Sequence, residues 1–221
     1  MKQIKQILLT GILLFCIAPA FAQRRKQGNV KKLQSVVVYK TENLSQQLKN
    51  FKAVIAVANV DFEFPKGFKE IPAPDNEDFS FDYAMELPGK DFEIWIQVKS
   101  QKENYAAYLR SLGNKETTQA NPDSVYLGMG TAYAIAFTGD RSSYFTRTIP
   151  RNVCARYKAN AGRSYLLNLL DLPITKRYKY ALLVTLQKDH TGTILAVCFA
   201  NEKGPEFFKD VDRASNCLKF K

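Results

Sequence analysis

Two stretches of alternating apolar residues most constrain the fold of this 221-residue chain. In the first stretch, alternate positions from Phe79 to Leu87 are apolar, and the same period resumes from Phe92 to Val98 after the turn sequence at residues 88–91, Pro-Gly-Lys-Asp. A period of two is typical of a half-buried strand, and a Pro-Gly turn between two such runs predicts a β-hairpin.

The second stretch predicts another hairpin, over residues 178–187 and 193–200, with its turn at residues 189–192. Apolar side chains occupy both faces of its second strand, at Ile194, Leu195 and Val197 among others. Such a strand is typical of the centre of a sheet that is covered on both sides.

Helical periodicity appears between and after these hairpins. Amphipathic helices are predicted at about 43–56 and 103–112, and a short helix is predicted to run from Pro150 to about Asn160. Pro205 is predicted to begin a final helix whose apolar stripe extends to Leu218.

Two further segments are predicted to be strands. Val60 to Phe64 alternates between apolar and acidic residues, and Tyr126 to Phe137 is rich in glycine, alanine and tyrosine, which suits a strand that packs closely against a neighbour. Together these elements predict one α+β domain over residues 33–221, built on a single, mainly antiparallel sheet with helices on both faces.

A short motif indicates a family. The segment from Phe62 to Phe68, Phe-Glu-Phe-Pro-Lys-Gly-Phe, resembles the opening strand and turn of PsbP-like domains, and the order of hairpins before a C-terminal helix is similar to that α/β/α sandwich. The resemblance covers roughly Val60 to Leu218. It implies an extrinsic accessory or binding protein without catalytic residues, and it carries over no metal ligands because the chain has one histidine.

The first 22 residues predict export. Lys2 and Lys5 precede an apolar run from Ile7 to Ile17, and the sequence Ala-Phe-Ala at residues 20–22 suits signal peptidase, so cleavage is expected after Ala22. A basic, polar leader at residues 23–32 follows. No transmembrane segment is expected in the mature chain, and its predicted location is the periplasm or the exterior.

Charge is segregated along the chain rather than spread evenly. The net charge is +11, yet residues 61–93 hold ten carboxylates against three lysines, while residues 141–179 hold nine basic side chains and one acid, Asp171. Within the second region, the basic zone at residues 141–163 combines cations with aromatic rings. Its candidate binding residues are Arg141, Arg147, Arg151, Arg156, Lys158, Arg163, Tyr144 and Tyr157.

Arginine binds carboxylates, phosphates and sulfates with a planar fork of donors. In an exported protein, an envelope protein, an anionic glycan or a lipid headgroup suits this zone better than nucleic acid does. Two alternatives remain at this stage: the arginines are solvated surface residues, or they offset the acids of residues 61–93 within one molecule. The oligomeric state stays open.

No catalytic or metal motif is found. His190, the single histidine, falls in the predicted hairpin turn, and a hydrolase with His190 as its base is only a remote alternative. After export, Cys154, Cys198 and Cys217 remain, and either one disulfide or three buried thiols would fit this odd number. The acids Asp75, Glu77 and Asp78 follow prolines, as in a surface loop.

The sequence therefore predicts an exported, non-enzymatic accessory protein that engages a macromolecular partner through the basic zone. The alternative is a protein that binds a small ligand or an anionic glycan in a pocket between sheet and helices. A cleft with several convergent arginines would favour the alternative. No cofactor is expected.

Overall fold

A seven-stranded antiparallel sheet organises the part of the chain that the computed structural model describes, residues 45–113, 119–175 and 177–221. The predicted signal peptide at residues 1–22, the leader at 23–32 and the predicted start of the domain at residue 33 lie outside these ranges. The described residues from Gln46 onward form one unit.

The strands of the described chain are β1 Val60–Phe62, β2 Lys69–Ile71, β3 Tyr83–Glu86, β4 Phe92–Ser100, β5 Tyr144–Thr148, β6 Ala161–Asn168, β7 Tyr180–Lys188, β8 Gly192–Ala200 and β9 Leu218–Phe220. Both predicted hairpins belong to the main sheet, whose strand order is β2-β3-β4-β8-β7-β6-β5. A separate two-stranded sheet pairs β1 with β9. β8 is the fourth of seven strands, as its apolar pattern predicts.

Helices lie on both faces of the main sheet, which confirms the predicted fold class. They are α1 Gln46–Val57, α2 Lys102–Ser111, α3 Val125–Thr138, α4 Arg151–Arg156 and α5 Pro205–Ser215, with a 3₁₀ turn at Pro122–Ser124. None of the helices in the described ranges is long and apolar enough to cross a bilayer.

Two apolar clusters hold these layers together. On the first face of the sheet, α1 and α5 insert Phe51, Ile55 and Phe207. On the second face, α3 inserts Ala134 and Phe137. Successive residues of a strand point to opposite faces, so the strands between these layers supply side chains to both clusters.

The predicted strand at Tyr126 to Phe137 is wrong, because this segment forms α3. The close approach that was expected of its small residues is real: a Cβ on Gly130 would lie 2.7 Å from Cε2 of Tyr165. A helix can present such a small face as well as a strand can. Between Val125 and Ile135, Thr131 is the only β-branched residue, and a segment with few β-branched residues suits a helix. α3 ends at Gly139, whose φ of 80° is left-handed.

Two predicted helices are shorter than expected. α4 stops at Arg156 rather than near Asn160, since Lys158 adopts a left-handed φ of 52°. α5 ends at Ser215, and Leu218 belongs to β9, where it pairs with Phe62. The C-terminal strand therefore closes against the segment that follows α1.

Candidate functional site

The first face of the sheet is only partly covered. α1 and α5 contact mainly β3 and β4 on this face, whereas α3 on the second face contacts β6, β7 and β8. As a result Leu182, Val184 and Ala196 are half-buried on the first face, although Leu183 and Thr185 on the second face are fully buried. Apolar side chains of β7 and β8 thus remain open to contact with a ligand.

A cavity of about 460 Å³ occupies this gap. Its floor is the first face of the sheet, and its walls come from the segment Thr148–Pro150, from α4 and from α5. The floor includes Ile94, Val184, Leu186, Ile194, Ala196 and Cys198. Its volume lies within the range of about 300–1,000 Å³ that is usual for small-molecule sites.

The side walls are tied to each other by hydrogen bonds. The Tyr157 hydroxyl, just after α4, donates to Oγ of Ser215 on α5 at 3.0 Å. The backbone N–H of Phe220 in β9 donates to the Tyr157 carbonyl, also at 3.0 Å. Tyr157, predicted as a binding residue, therefore positions α4 beside α5 and lines the cavity at the same time.

Two predicted binding residues, Arg147 and Arg156, line the cavity from its exposed side. Arg147 lies on β5, with its Cζ 5.1 Å from the ring centre of Phe145. Within the described ranges, neither guanidinium forms an ion pair, and Asp212 on α5 is the carboxylate that lines the same cavity. Two arginines without an ion-pair partner among the described residues leave donors free for an anionic ligand.

The other members of the basic zone are not brought to this cavity. Arg163 on β6 pairs with Thr148 and Thr185, so it lies on the second face. Tyr144 also faces that side, where its ring meets Tyr165 edge-on at 5.8 Å. Arg141 lies exposed in the loop after α3, and Arg151 and Lys158 lie exposed at the two ends of the α4 segment.

The ion pairs of the described residues bear on one alternative. The described acids between residues 61 and 93 that form ion pairs are bound by Lys69, Arg177 and Lys221, none of which belongs to the basic zone. Internal compensation of these acids by the basic zone is therefore not seen among the described residues.

Sequence reasoning missed the apolar half of the site and its α5 wall. Val184 and Ala196 follow the same alternation as fully buried neighbours, so no pattern marks them as half-open. Asp212 and Ser215 reach the cavity through the packing of α5 against β4, which is a long-range contact. No local signal was available, because the helix predicted from Pro150 to about Asn160 is longer than α4, whose short length leaves strands without a cover.

His190 lies in the β7–β8 turn, as predicted, with a φ of 60°. Its Nε2 is 3.2 Å from Oδ2 of Asp123, and its ring stacks on Tyr105 with 3.8 Å between centres. The His190 backbone N–H also donates to Oδ1 of Asp123 at 2.8 Å. Among the described residues, no serine, threonine or cysteine side chain hydrogen-bonds the imidazole, so this geometry gives the hydrolase alternative no support.

The three cysteines of the described chain are buried free thiols. Burial raises the pKa of the Cys198 and Cys154 thiols, and it raises the pKa of Cys217 to about 12. Thiols with raised pKa values are poor nucleophiles at neutral pH. In the described ranges, no three histidine, cysteine or carboxylate side chains lie close enough together to bind a metal ion. Asp75 lies in an exposed loop, where its backbone forms an isolated β-bridge to Ser80.

Comparison with known proteins gives a likeness only among solved structures. No protein-family model matches the chain, and no curated protein matches it. Among solved structures, the chain is similar to cyanobacterial PsbP (CyanoP) from Synechocystis sp. PCC 6803, with 9% identity and a TM-score of 0.40 over 74% of this chain and 88% of that chain. This is a weak resemblance at the level of the fold, and no ligand or partner follows from it.

Proposed function

We propose that this chain is a non-catalytic binding protein and that its cavity on the first face holds an anionic ligand. The observation that carries the proposal is the pair Arg147 and Arg156 at the exposed side of an apolar cavity, neither of which forms an ion pair with another described residue. Concave, mostly apolar sites with a few polar groups that set orientation are typical of ligand-binding proteins.

The division of the basic zone favours a small ligand over a macromolecular partner. A protein or polysaccharide surface would draw on arginines that share one side of the molecule, but Arg163 and Tyr144 lie on the opposite face from Arg147. A macromolecular partner at the exposed Phe145 and Arg147 is the second candidate, because Phe145 is 58% exposed on an edge strand.

Charge-matched double variants test the proposal. Arg147→Gln with Arg156→Gln removes both cavity arginines, whereas Arg151→Gln with Arg163→Gln removes two charges of the same zone outside the cavity. Dodecyl phosphate, a sulfated disaccharide and inorganic phosphate serve as probes in calorimetric titrations. At least one probe is expected to bind, with a loss of about tenfold or more per cavity arginine and little change in the control.

An equal loss of affinity in both double variants would instead indicate a diffuse charged surface and would contradict a site in the cavity. Absence of binding for every probe would contradict the small-ligand proposal.

We further propose that the protein acts in the periplasm or outside the cell, after cleavage behind Ala22. N-terminal sequencing of the protein from the envelope and culture fractions is expected to begin at Gln23. Recovery of a chain that begins at Met1 in the cytoplasmic fraction would contradict export.

A further inference from the structure

We infer that the ligand is a single-chain amphiphile with a phosphate or carboxylate head, bound with its head at Arg147 and Arg156 and its chain along the sheet. This inference rests on the proposed function and specifies the ligand class for the same cavity. It follows from how exposure, polarity and shape change across the first face.

Exposure falls steadily along one row of paired residues. Directly opposed residues of antiparallel strands share a face, so the register places Arg147, Ser164, Val184, Ala196 and Ile96 side by side from β5 to β4. Arg147 is exposed, the next three are half-buried, and Ile96 is fully buried. The row therefore descends from a cationic edge to an apolar interior.

The neighbouring row is apolar from end to end. It consists of Phe145, Leu166, Leu182, Cys198 and Ile94, of which Cys198 and Ile94 line the cavity and the first three continue the same face beyond it. Phe145 and Leu166 lie at its open end, while Ile94 is buried. A glycan would lose hydrogen bonds to water on this floor without replacement, whereas an alkyl chain would gain from leaving water.

Most polar groups of the cavity lie around its rim, whereas Ser164 lies on the floor. Besides the arginines, the rim groups include Asp212 and the hydroxyls of Ser215 and Tyr157, and the last two are already hydrogen-bonded to each other. Of the described residues that line the cavity, only the two arginines offer several free donors for an anionic head. The carboxylate of Asp212, which forms no ion pair with another described residue, opposes a second negative charge at the α5 side and favours the head near β5 and α4.

The dimensions suit one chain of medium length. From β5 to β8 there are three strand spacings, which amount to roughly 14 Å. The cavity volume of about 460 Å³ is small for a ligand with two long chains. We therefore expect an alkyl chain of about a dozen carbons to bind better than a longer diacyl lipid.

Chain-length series test the inference in calorimetric titrations of the protein from Gln23 to Lys221. Alkyl phosphates and alkyl carboxylates of 6, 8, 10 and 12 carbons are used below their micellar concentrations. Affinity is expected to rise roughly fourfold per methylene that enters the cavity, in both head-group series. A neutral alcohol of 12 carbons is expected to bind at least about tenfold more weakly.

Two variants of the floor check the location of the chain. Ala196→Phe on β8 fills the inner end of the cavity, and Ser164→Phe on β6 fills its middle. Each is expected to abolish the dependence on chain length while the thermal transition shows a folded protein. Leu183→Met on the second face, a volume-conserving change, serves as the control and is expected to leave the series unchanged.

The outcomes separate this inference from the proposed function. If inorganic phosphate or the sulfated disaccharide binds through Arg147 and Arg156 but affinity is independent of chain length, the amphiphile is refuted and the anionic ligand stands. If no probe binds, both fail. If the protein binds vesicles of anionic diacyl lipid but none of the single-chain alkyl phosphates or carboxylates, the amphiphile is also refuted, because no chain then enters the cavity.

Discussion

At the residue scale, Asp210 is the clearest structural charge. Its side chain is 6% exposed, and its carboxylate accepts hydrogen bonds from Nζ of Lys90 at 2.7 and 3.0 Å and from Nη1 of Arg213 at 3.4 Å. Lys90 lies in the turn between β3 and β4, so this contact joins α5 to the hairpin on which it packs.

Asp210→Ala is expected to lower the free energy of unfolding by about 1–3 kcal/mol, because Lys90 and Arg213 lose their shared acceptor. Lys90 is half-exposed and can be solvated again, which keeps the loss below that of a fully buried pair. Urea denaturation measures the change. Asp212→Ala, an exposed site on the same helix, should shift stability by no more than about 0.5 kcal/mol, and an equal effect at both sites would contradict the assigned role.

The thiol of Cys217 makes stability depend on alkaline pH. Burial raises its pKa from the ordinary value of 9.0 to about 12, so the folded state keeps the proton that the unfolded chain releases. Its contribution to stability is complete below pH 9 and is lost as the pH rises from 9 toward 12, with a slope of at most about 1.4 kcal/mol per pH unit.

Denaturation curves of the native protein and of Cys217→Ala between pH 7.5 and 10.5 test this sign. The free energy of unfolding should fall more steeply with pH in the native protein than in the variant, whose other titrating groups are the same. Parallel curves would show that Cys217 is not protected in the folded state.

At the scale of elements, substitutions of Gly128 and Gly130 test whether α3 is a helix that packs closely on the sheet. A Cβ on Gly130 would meet the Tyr165 ring at 2.7 Å and Cγ2 of Thr185 at 2.9 Å, whereas a Cβ on Gly128 would enter open space. Gly130→Ala is expected to cost about 1–3 kcal/mol, because the buried ring must shift. Gly128→Ala is expected to stabilise by about 0.5–1 kcal/mol, as alanine does in an exposed helix.

Thermal denaturation distinguishes these opposite signs without reference to function. Destabilisation by both substitutions would fit a strand or loop at Gly128 better than a helix. Stabilisation by both would show that α3 does not pack on β6 and β7 at the distance described.

The elements that the sequence predicted well are those whose pattern is local. The β3–β4 and β7–β8 hairpins combine strict alternation with turn residues, and α5 combines an initial proline with an apolar stripe. α3 was mistaken because glycine and alanine suit any closely packed element. Its identity depends on Tyr165 and Thr185, which are far away in sequence and which no local period reveals.

At the scale of the whole molecule, the basic zone shows why a charge run seldom maps onto one surface. The zone follows β5, α4 and β6, and the alternation of strands sends Arg147 to the first face and Arg163 to the second. Only the register reveals this division. The apolar floor of the cavity could not be predicted either. Half-buried and fully buried strand residues follow the same alternation, and only the positions of α1, α4 and α5 distinguish them.

The most direct test of the binding site is a residue-resolved NMR titration of the isotope-labelled protein with dodecyl phosphate. The proposal predicts saturable shifts of the amides of Arg147, Val184 and Ala196 and of the Arg156 side chain, while Leu183 and Tyr165 on the second face change little. Shifts centred on the second face, or shifts scattered over every basic residue without saturation, would contradict a ligand site in the cavity.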